Sequence, residues 1–454
     1  MSVWTQGLNP EQVEAVKHNW GPMLILAGAG SGKTTVLVSR TGRLIADKVV
    51  KPKEICVLTF TNKAAKELKH RVQNKVGQSA KGIWAGTFHS FGLEMLRKHY
   101  KKVGLPRYFG IIDGTDAKAI IKDLLKNISH YAKSNFDEEK LLNMMNDWRG
   151  RGQKKAKNDD EYEEAVLMLL PRYIQRLEAL GVVDFESLLI LPLKLLDEHS
   201  EVLQEYQERF QQMMVDEFQD TNELQMKLVM KLIDKHKNIT VVGDDDQSIY
   251  GWRGACINNI LGFPKLFNEC LVVRLERNYR STPAILNVAN AVIEKNDNRH
   301  GKVLRSEAYS ELGERPEVFV HENDELEIED VIQQIKHFQN QGYDYSDIAV
   351  LYRSNGQGGL LEASMRSHQI PYILTGGTAF FDRKEIRDIM AYLRTAVAPN
   401  EIAFRRIINT PSRGIGETSI KIMEESANKH HIRLFKTSKK WQDMDIKVNI
   451  GQYI

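Results

Sequence analysis

The chain has 454 residues, of which 42% are apolar and 27% charged, with a formal net charge of +3. That length allows two to four domains at roughly 100 to 200 residues each, and the composition excludes an intrinsically disordered chain. A near-neutral charge also excludes a protein that is basic all over, so any surface for nucleic acid has to be local.

The first residues, MSVWTQGLNPEQ, lack the basic-then-apolar pattern of a signal peptide. No apolar run approaches the roughly 18 residues of a membrane span, so the expectation is a cytoplasmic protein without a membrane partner. Short apolar runs ending in Gly or Asp then recur between helical stretches: MLILAG (23–28), ICVLTF (55–60), QMMVDEF (212–218) and ITVVGDDD (239–246). Buried parallel strands read this way, with chemistry in the loops at their carboxyl ends, so the pattern predicts an α/β domain.

Between about 90 and 200, AKAIIKDLLKNI and EEAVLMLLPRYIQRLEAL carry helical periodicity with no clear strand among them, which predicts an all-helical insertion. Inside it, RGRGQKKAKNDDEYEE (149–164) reads as a solvated loop, with a phosphate-contacting role for Lys154, Lys155 and Lys157 as the weaker reading. After LERNYRS comes a strand–helix–strand pattern: PEVFVHEN, the helix ELEIEDVIQQIKHFQ with Ile328, Val331, Ile332, Ile335 and Phe338 at helical spacing, then DIAVLYRSN. From about 380, KEIRDIMAYLR, EIAFRRII and ETSIKIMEESANKH are helical again, and the last twenty residues show no clear element. The three cysteines, Cys56, Cys256 and Cys270, are too far apart for a zinc or redox motif and read as packed thiols in a reducing compartment.

AGAGSGKT (27–34) follows an apolar strand and precedes a helix, the context a phosphate-binding loop requires. Its candidate ligands run from Ala27 through Gly28, Ala29, Gly30, Ser31 and Gly32 to Lys33 and Thr34. Small residues let backbone N–H groups point at phosphates, Lys33 neutralises β/γ-phosphate charge, and the Thr34 hydroxyl ligates Mg²⁺. Ala27 stands where the strict pattern has its first Gly. VDEFQD (215–220) ends another strand with adjacent acids, which by themselves fit an exposed acidic loop or a helix cap equally well. Behind a phosphate loop they fit a Mg²⁺-dependent hydrolase, with Asp216 holding the metal and Glu217 deprotonating the attacking water.

With these runs come TFTNKAAKEL (59–68), GTFHSF (86–91), VVGDDDQSIYGWRGA (241–255) and LERNYRST (275–282). In this order they resemble the motifs of superfamily 1 DNA helicases of the Rep, UvrD and PcrA group, most nearly Rep, from LNPEQ to at least NTPSRGIG at 416. The resemblance implies ATP and Mg²⁺ as cofactors, single-stranded DNA and single–double strand junctions as partners, and 3′ to 5′ movement driven by two RecA-like P-loop lobes with helical insertions. It implies that Gln12 reads the adenine edge, that Tyr279 stacks on the base opposite Thr35, where the family usually has Arg, that Gln247 senses the γ-phosphate, and that Arg280 acts as an internal arginine finger. It also implies that Phe60, Tyr250 and Trp252 stack on bases, with His89, Arg253 and Asn355 beside them, and that GIG (414–416) approaches duplex phosphates.

On that pattern, residues 1–89 and 200–276 form the first lobe, 90–199 its insertion, 277–375 the start of the second lobe and 376–454 a partial second insertion. The family's TxHxxKGLE-like and ITRA-like motifs do not occur in the sequence, so the second α/β lobe is expected to be incomplete. Two expectations follow: a helicase or translocase, either completed by a protein partner or complementing chain or represented here only in part, or an ATP- and single-strand-binding module that does not unwind. A different P-loop enzyme, such as a nucleotide kinase, has no use for DEFQ and GDDDQSIYGWRGA.

Overall fold

A computed structural model describes residues 3–126, 128, 136–152, 155, 160–375, 384–397 and 401–429. The chain folds as two units, Met1–Arg315 and Pro316–Ile454.

The first unit is built on six parallel strands: β1 (Met23–Ala27), β2 (Ile55–Thr59), β3 (Trp84–Thr87), β4 (Gln212–Val215), β5 (Ile239–Gly243) and β6 (Leu271–Leu275), in the order β3-β2-β4-β5-β1-β6. Both faces are buried, which is why these runs are continuously apolar rather than alternating with polar residues. The period-two pleat still shows. Leu24, Leu26, Cys56, Leu58, Met213 and Val215 enter one core, while Met23, Ile25, Ala27, Ile55, Val57 and Met214 enter the other. Because all six strands are parallel, their carboxyl ends lie at one edge, and every motif singled out above in this unit sits there.

The helix Lys33–Ala46 returns from β1, and buried Arg40 and Arg43 tie it to the helix Pro10–Lys17. Arg40 donates to the carbonyls of Ala15 (3.2 Å) and His18, and Arg43 to that of Val16 (2.7 Å). These bonds satisfy carbonyls at the end of the shorter helix.

The insertion is helical as expected, through Phe88–His99, Gly114–Lys126, Glu138–Arg151, Glu161–Leu180 and Ser187–Glu198. It also holds a small parallel pair that periodicity does not reveal, Gly110–Ile111 with Val182–Val183. Two residues per strand are too few to show an alternation. A buried ion pair, Arg149 Nη1 to Asp184 Oδ2 at 2.6 Å, fastens these helices together, and Ser187 and Tyr173 complete the Asp184 bonding. Lys154 and Lys157 lie outside the described residues.

Residues 277–315 fall within the first unit, where Arg277–Asn278 pair in parallel with Arg305–Ser306. The second unit contains the helix Asp324–Asn340, with Ile332 and Ile335 buried against Met365 and Ile370 of the following segment. The helices Asn355–Ser367, Lys384–Val397, Glu401–Ile407 and Glu417–Lys429 follow. The expected strands PEVFVHEN and DIAVLYRSN carry no ladder among the described residues. In the second the alternation survives, with Ile348 and Val350 packed on the helix cluster and Leu351 88% exposed, whereas Val318 and Val320 of the first are both exposed. Gly414–Gly416 forms a turn whose Ile415 is buried with Phe404, Ile408 and Met423. The last twenty residues lie outside the described residues.

Candidate functional site

The phosphate loop leaves β1 at Ala27 and enters its helix through Gly32, at φ 88°, with no side chain capping the first turn. Neighbouring helices are closed differently, by Asn9, Thr61, Thr87 and Asn222 side chains. The helix at Lys33 therefore keeps free N–H groups and its positive end for an anion. Its glycines are demanded by crowding as well as by conformation. A Cβ on Gly30 (φ 67°) would lie 2.7 Å from the Arg280 Cβ, and one on Gly32 would lie 2.7 Å from Gln12 Nε2. Ser31 Oγ donates to the Gly28 carbonyl at 2.8 Å, bracing the loop from inside.

Asp216 and Glu217 follow β4, and the Asp216 N–H donates to the Leu58 carbonyl at 2.9 Å. Glu217 adopts φ 51°, ψ 46°, a left-handed conformation that costs a non-glycine residue on the order of 1 kcal/mol or more and is tolerated mainly where function requires it. Its Oε2 is held from two sides, by Lys33 Nζ at 3.5 Å and by Gln219 Nε2 at 3.0 Å. That leaves Oε1 as the oxygen available to a water. Burial, then the Glu217 charge, push the Asp216 carboxyl up to about 6, and the same causes in the same order raise Asp220 to about 6. Asp220 Oδ1 is buried with no hydrogen-bond partner among the described residues. Three carboxyl groups thus share one ammonium, Lys33, and a divalent cation fits that deficit of positive charge.

Gln219 connects this strand end to the next. Its Oε1 accepts the Asp244 N–H at 2.9 Å, and a Cβ on Gly243 would press within 2.6 Å of that oxygen. Asp244 in turn accepts from Gln247 Nε2. The carboxylates of Asp244, Asp245 and Asp246 converge within 4.8 Å of one another, yet Lys302 Nζ already sits 2.6 Å from each. Neither Gln219 nor Lys302 was singled out from the sequence. Gln219 lies inside the quoted VDEFQD run, whereas Lys302 carries no local signal.

The residues expected to meet the base gather around the loop. Gln12 donates from Nε2 to the Ser31 carbonyl at 2.9 Å and accepts the Asn9 N–H at Oε1, so its amide is engaged on both sides. Tyr279 donates its N–H to the Gly30 carbonyl at 2.9 Å and accepts from Asn9 Nδ2 at its hydroxyl. Asn278 anchors this arm by donating to the Ala29 carbonyl at 2.6 Å. Arg280 is exposed, and its guanidinium makes no ion pair among the described residues. Thr35 is exposed and Thr34 half-buried in the first turn of the helix.

Phe60, at the end of β2, stacks on Tyr250 with ring centres 5.5 Å apart and planes 19° apart. Tyr250 adjoins Trp252 at 6.4 Å, and the Arg253 guanidinium covers the Trp252 ring at 4.6 Å. Trp252 is 72% exposed, so the group forms an aromatic shelf facing solvent. His89 meets the exposed Phe185 edge-on at 5.8 Å, and burial lowers its pKa, which keeps the ring neutral near pH 7. Phe185 was not anticipated, because a lone aromatic in the helical insertion reads as core. Asn355 opens its helix in the second unit, and its side chain lies outside the described ones.

Comparison with known proteins adds independent findings. Residues 8–268 match the model of the UvrD/REP helicase N-terminal domain, and residues 273–445 that of the UvrD-like helicase C-terminal domain. The sequence is 42% identical over 445 residues to a protein of Staphylococcus aureus named ATP-dependent DNA helicase PcrA, and 41% identical over 440 residues to its namesake in Staphylococcus epidermidis. Each alignment takes in 96% of this chain and 60% of the relative, so the chain spans about three-fifths of the length of these relatives.

Proposed function

The chain belongs to the UvrD/REP helicase family, and on that premise we propose that it is an ATP-driven motor that moves 3′ to 5′ along single-stranded DNA and opens duplex at junctions. The observation that carries this reading is the linked pair of sites on one sheet edge: an uncapped phosphate loop facing the Asp216–Glu217 acids, and an exposed aromatic shelf at Phe60, Tyr250 and Trp252.

In this mechanism the triphosphate lies on the N–H groups of residues 28–34, and Lys33 leaves Glu217 to meet the β/γ-phosphates. Thr34 and Asp216 would hold Mg²⁺, which would supply electrostatic stabilisation of phosphate charge. Glu217, oriented by Gln219, takes the proton of the attacking water, while Arg280 neutralises charge on the transferred group. Tyr279 stacks on the base and Gln12 meets the adenine edge, with Thr35 leaving the opposite side of the base open. Bases of the track stack on Phe60, Tyr250 and Trp252, with His89 and Arg253 beside them, since stacking is indifferent to sequence. Gln247, held by Asp244, stands between fuel and track. The work is cytoplasmic.

Displacement of streptavidin from biotinylated single strands tests the reading. ATP-dependent displacement from a 5′ end, and not from a 3′ end, is the expected result. Displacement from the 3′ end refutes the polarity. ATP turnover without displacement from either end identifies a binding module and not a motor.

A further inference from the structure

Three carboxylates on consecutive residues, converging within 4.8 Å, repel one another strongly away from water. A cation or bound protons have to offset that repulsion, and the fold supplies the cation. The Lys302 side chain is 1% exposed, with its Nζ 2.6 Å from Asp244 Oδ1, Asp245 Oδ1 and Asp246 Oδ2. Burial by itself lowers the pKa of this ammonium, and the three carboxylates outweigh it, so the net direction is up. Arg299 adds a bidentate bond to Asp246 at 2.8 Å and donates to the Lys302 carbonyl, and the His300 N–H takes the other Asp245 oxygen at 2.7 Å. Residues 299–302 therefore clamp the loop after β5 from outside the sheet.

The clamp reaches the reaction through Asp244. One carboxylate oxygen receives Lys302 and the other receives Gln247 Nε2, while the Asp244 N–H donates to Gln219, which holds Glu217. We propose that Lys302 is a positioning residue for ATP hydrolysis: by neutralising Asp244–Asp246 it fixes the Asp244 carboxylate as the acceptor that sets the Gln247 side chain. The proposal rests on the functional reading above. Without Lys302, Asp244 faces two like charges with no ammonium between them, turns or takes up a proton, and releases Gln247. The phosphate loop itself, built on Ser31, Asn278 and the helix end, is untouched.

The test is a two-residue cycle on the full chain. ATP turnover with single-stranded DNA is measured for wild type, Lys302→Met, Gln247→Ala and the double variant, together with affinity for a fluorescent ADP analogue. Lys302→Met is expected to lower kcat on the order of tenfold while analogue affinity stays within about twofold, and to change kcat by less than about twofold when Gln247 is already Ala. An unchanged kcat, or an equal loss on the Gln247→Ala background, overturns the proposal, because a merely structural lysine acts regardless of Gln247. Circular dichroism and thermal unfolding check the fold. If Lys302→Met does not fold, Lys302→Gln, which keeps a donor for Asp244, enters the same cycle under the same criteria. Absence of turnover in the wild type overturns the functional reading and this proposal with it, whereas wild-type turnover with an unaffected Lys302 variant overturns this proposal alone.

Discussion

ICVLT (55–59) and IAVLY (348–352) are nearly the same peptide in two places, and they end differently. Each follows a single 3-10 turn, Pro52–Glu54 or Tyr345–Asp347, and each runs on through Thr61 or Ser354 into a helix that starts at an Asn. The first is β2, hydrogen-bonded on both sides by β3 and β4 and buried at all five positions. The second has no ladder among the described residues, and its Leu351 is 88% exposed where Leu58 is fully buried. Local pattern alone does not make a strand here. Parallel neighbours do, because they supply both the backbone bonds and the second apolar face. The same neighbours bring the carboxyl ends of β1, β4 and β5 together, and with them the acids, the phosphate loop and Gln219.

The comparison can be broken or sharpened by experiment. The largest effect belongs to the chemistry proposed for the paired sheet: Glu217→Gln should lower ATP turnover by about 10² to 10⁴ while keeping nucleotide affinity, since it removes the proposed base and not the loop. Turnover that survives the change removes Glu217 from the reaction. Next comes packing. Leu58→Ala should cost the first unit about 2 to 5 kcal/mol in denaturant unfolding, whereas Leu351→Ala should stay within about 0.5 kcal/mol. Equal costs would mean that 348–352 is buried and paired in solution, which would erase the contrast drawn above.

Smaller effects probe the shelf and the acids. Trp252→Ala should weaken binding of a fluorescent single strand by about 1 to 3 kcal/mol without lowering thermal stability, because the ring is solvent-facing. Lost stability would place Trp252 in the core instead. Asp220→Asn should stabilise the metal-free first unit at pH 7 to 8. A carboxyl raised to about 6 by burial and Glu217 opposes folding once ionised. The folded state binds this proton more tightly than the unfolded state, so the group's contribution falls as pH rises toward 6 and stays unfavourable above it. The gain from Asn should therefore shrink as pH drops through 6, and thermal unfolding scans across pH 4 to 8 measure it. A gain independent of pH would assign it to something other than this charge.

What could be read in advance follows the same division. AGAGSGKT and VDEFQD could be picked out as candidate sites because their candidate residues are adjacent in the chain, and the apolar runs before them place both at strand ends. The helix Asp324–Asn340 was legible because its Ile332 and Ile335 stripe is local. Gln219, Lys302, Arg40 and Phe185 were not, since each matters through a partner distant in sequence: Lys302 meets Asp245 across 57 positions, and Arg40 meets the Ala15 carbonyl across 25. The strands expected at 316–323 and 347–355 failed for the complementary reason, because their pattern is local and their partners are not.

The most direct test of the central claim, that one sheet edge couples fuel to track, is steady-state ATP hydrolysis with and without single-stranded DNA, with the Glu217→Gln protein as the blank. The account predicts low turnover alone and strong stimulation by DNA, with the stimulation reduced in Trp252→Ala. Turnover that is indifferent to DNA, or stimulation that is unchanged in Trp252→Ala, would contradict it.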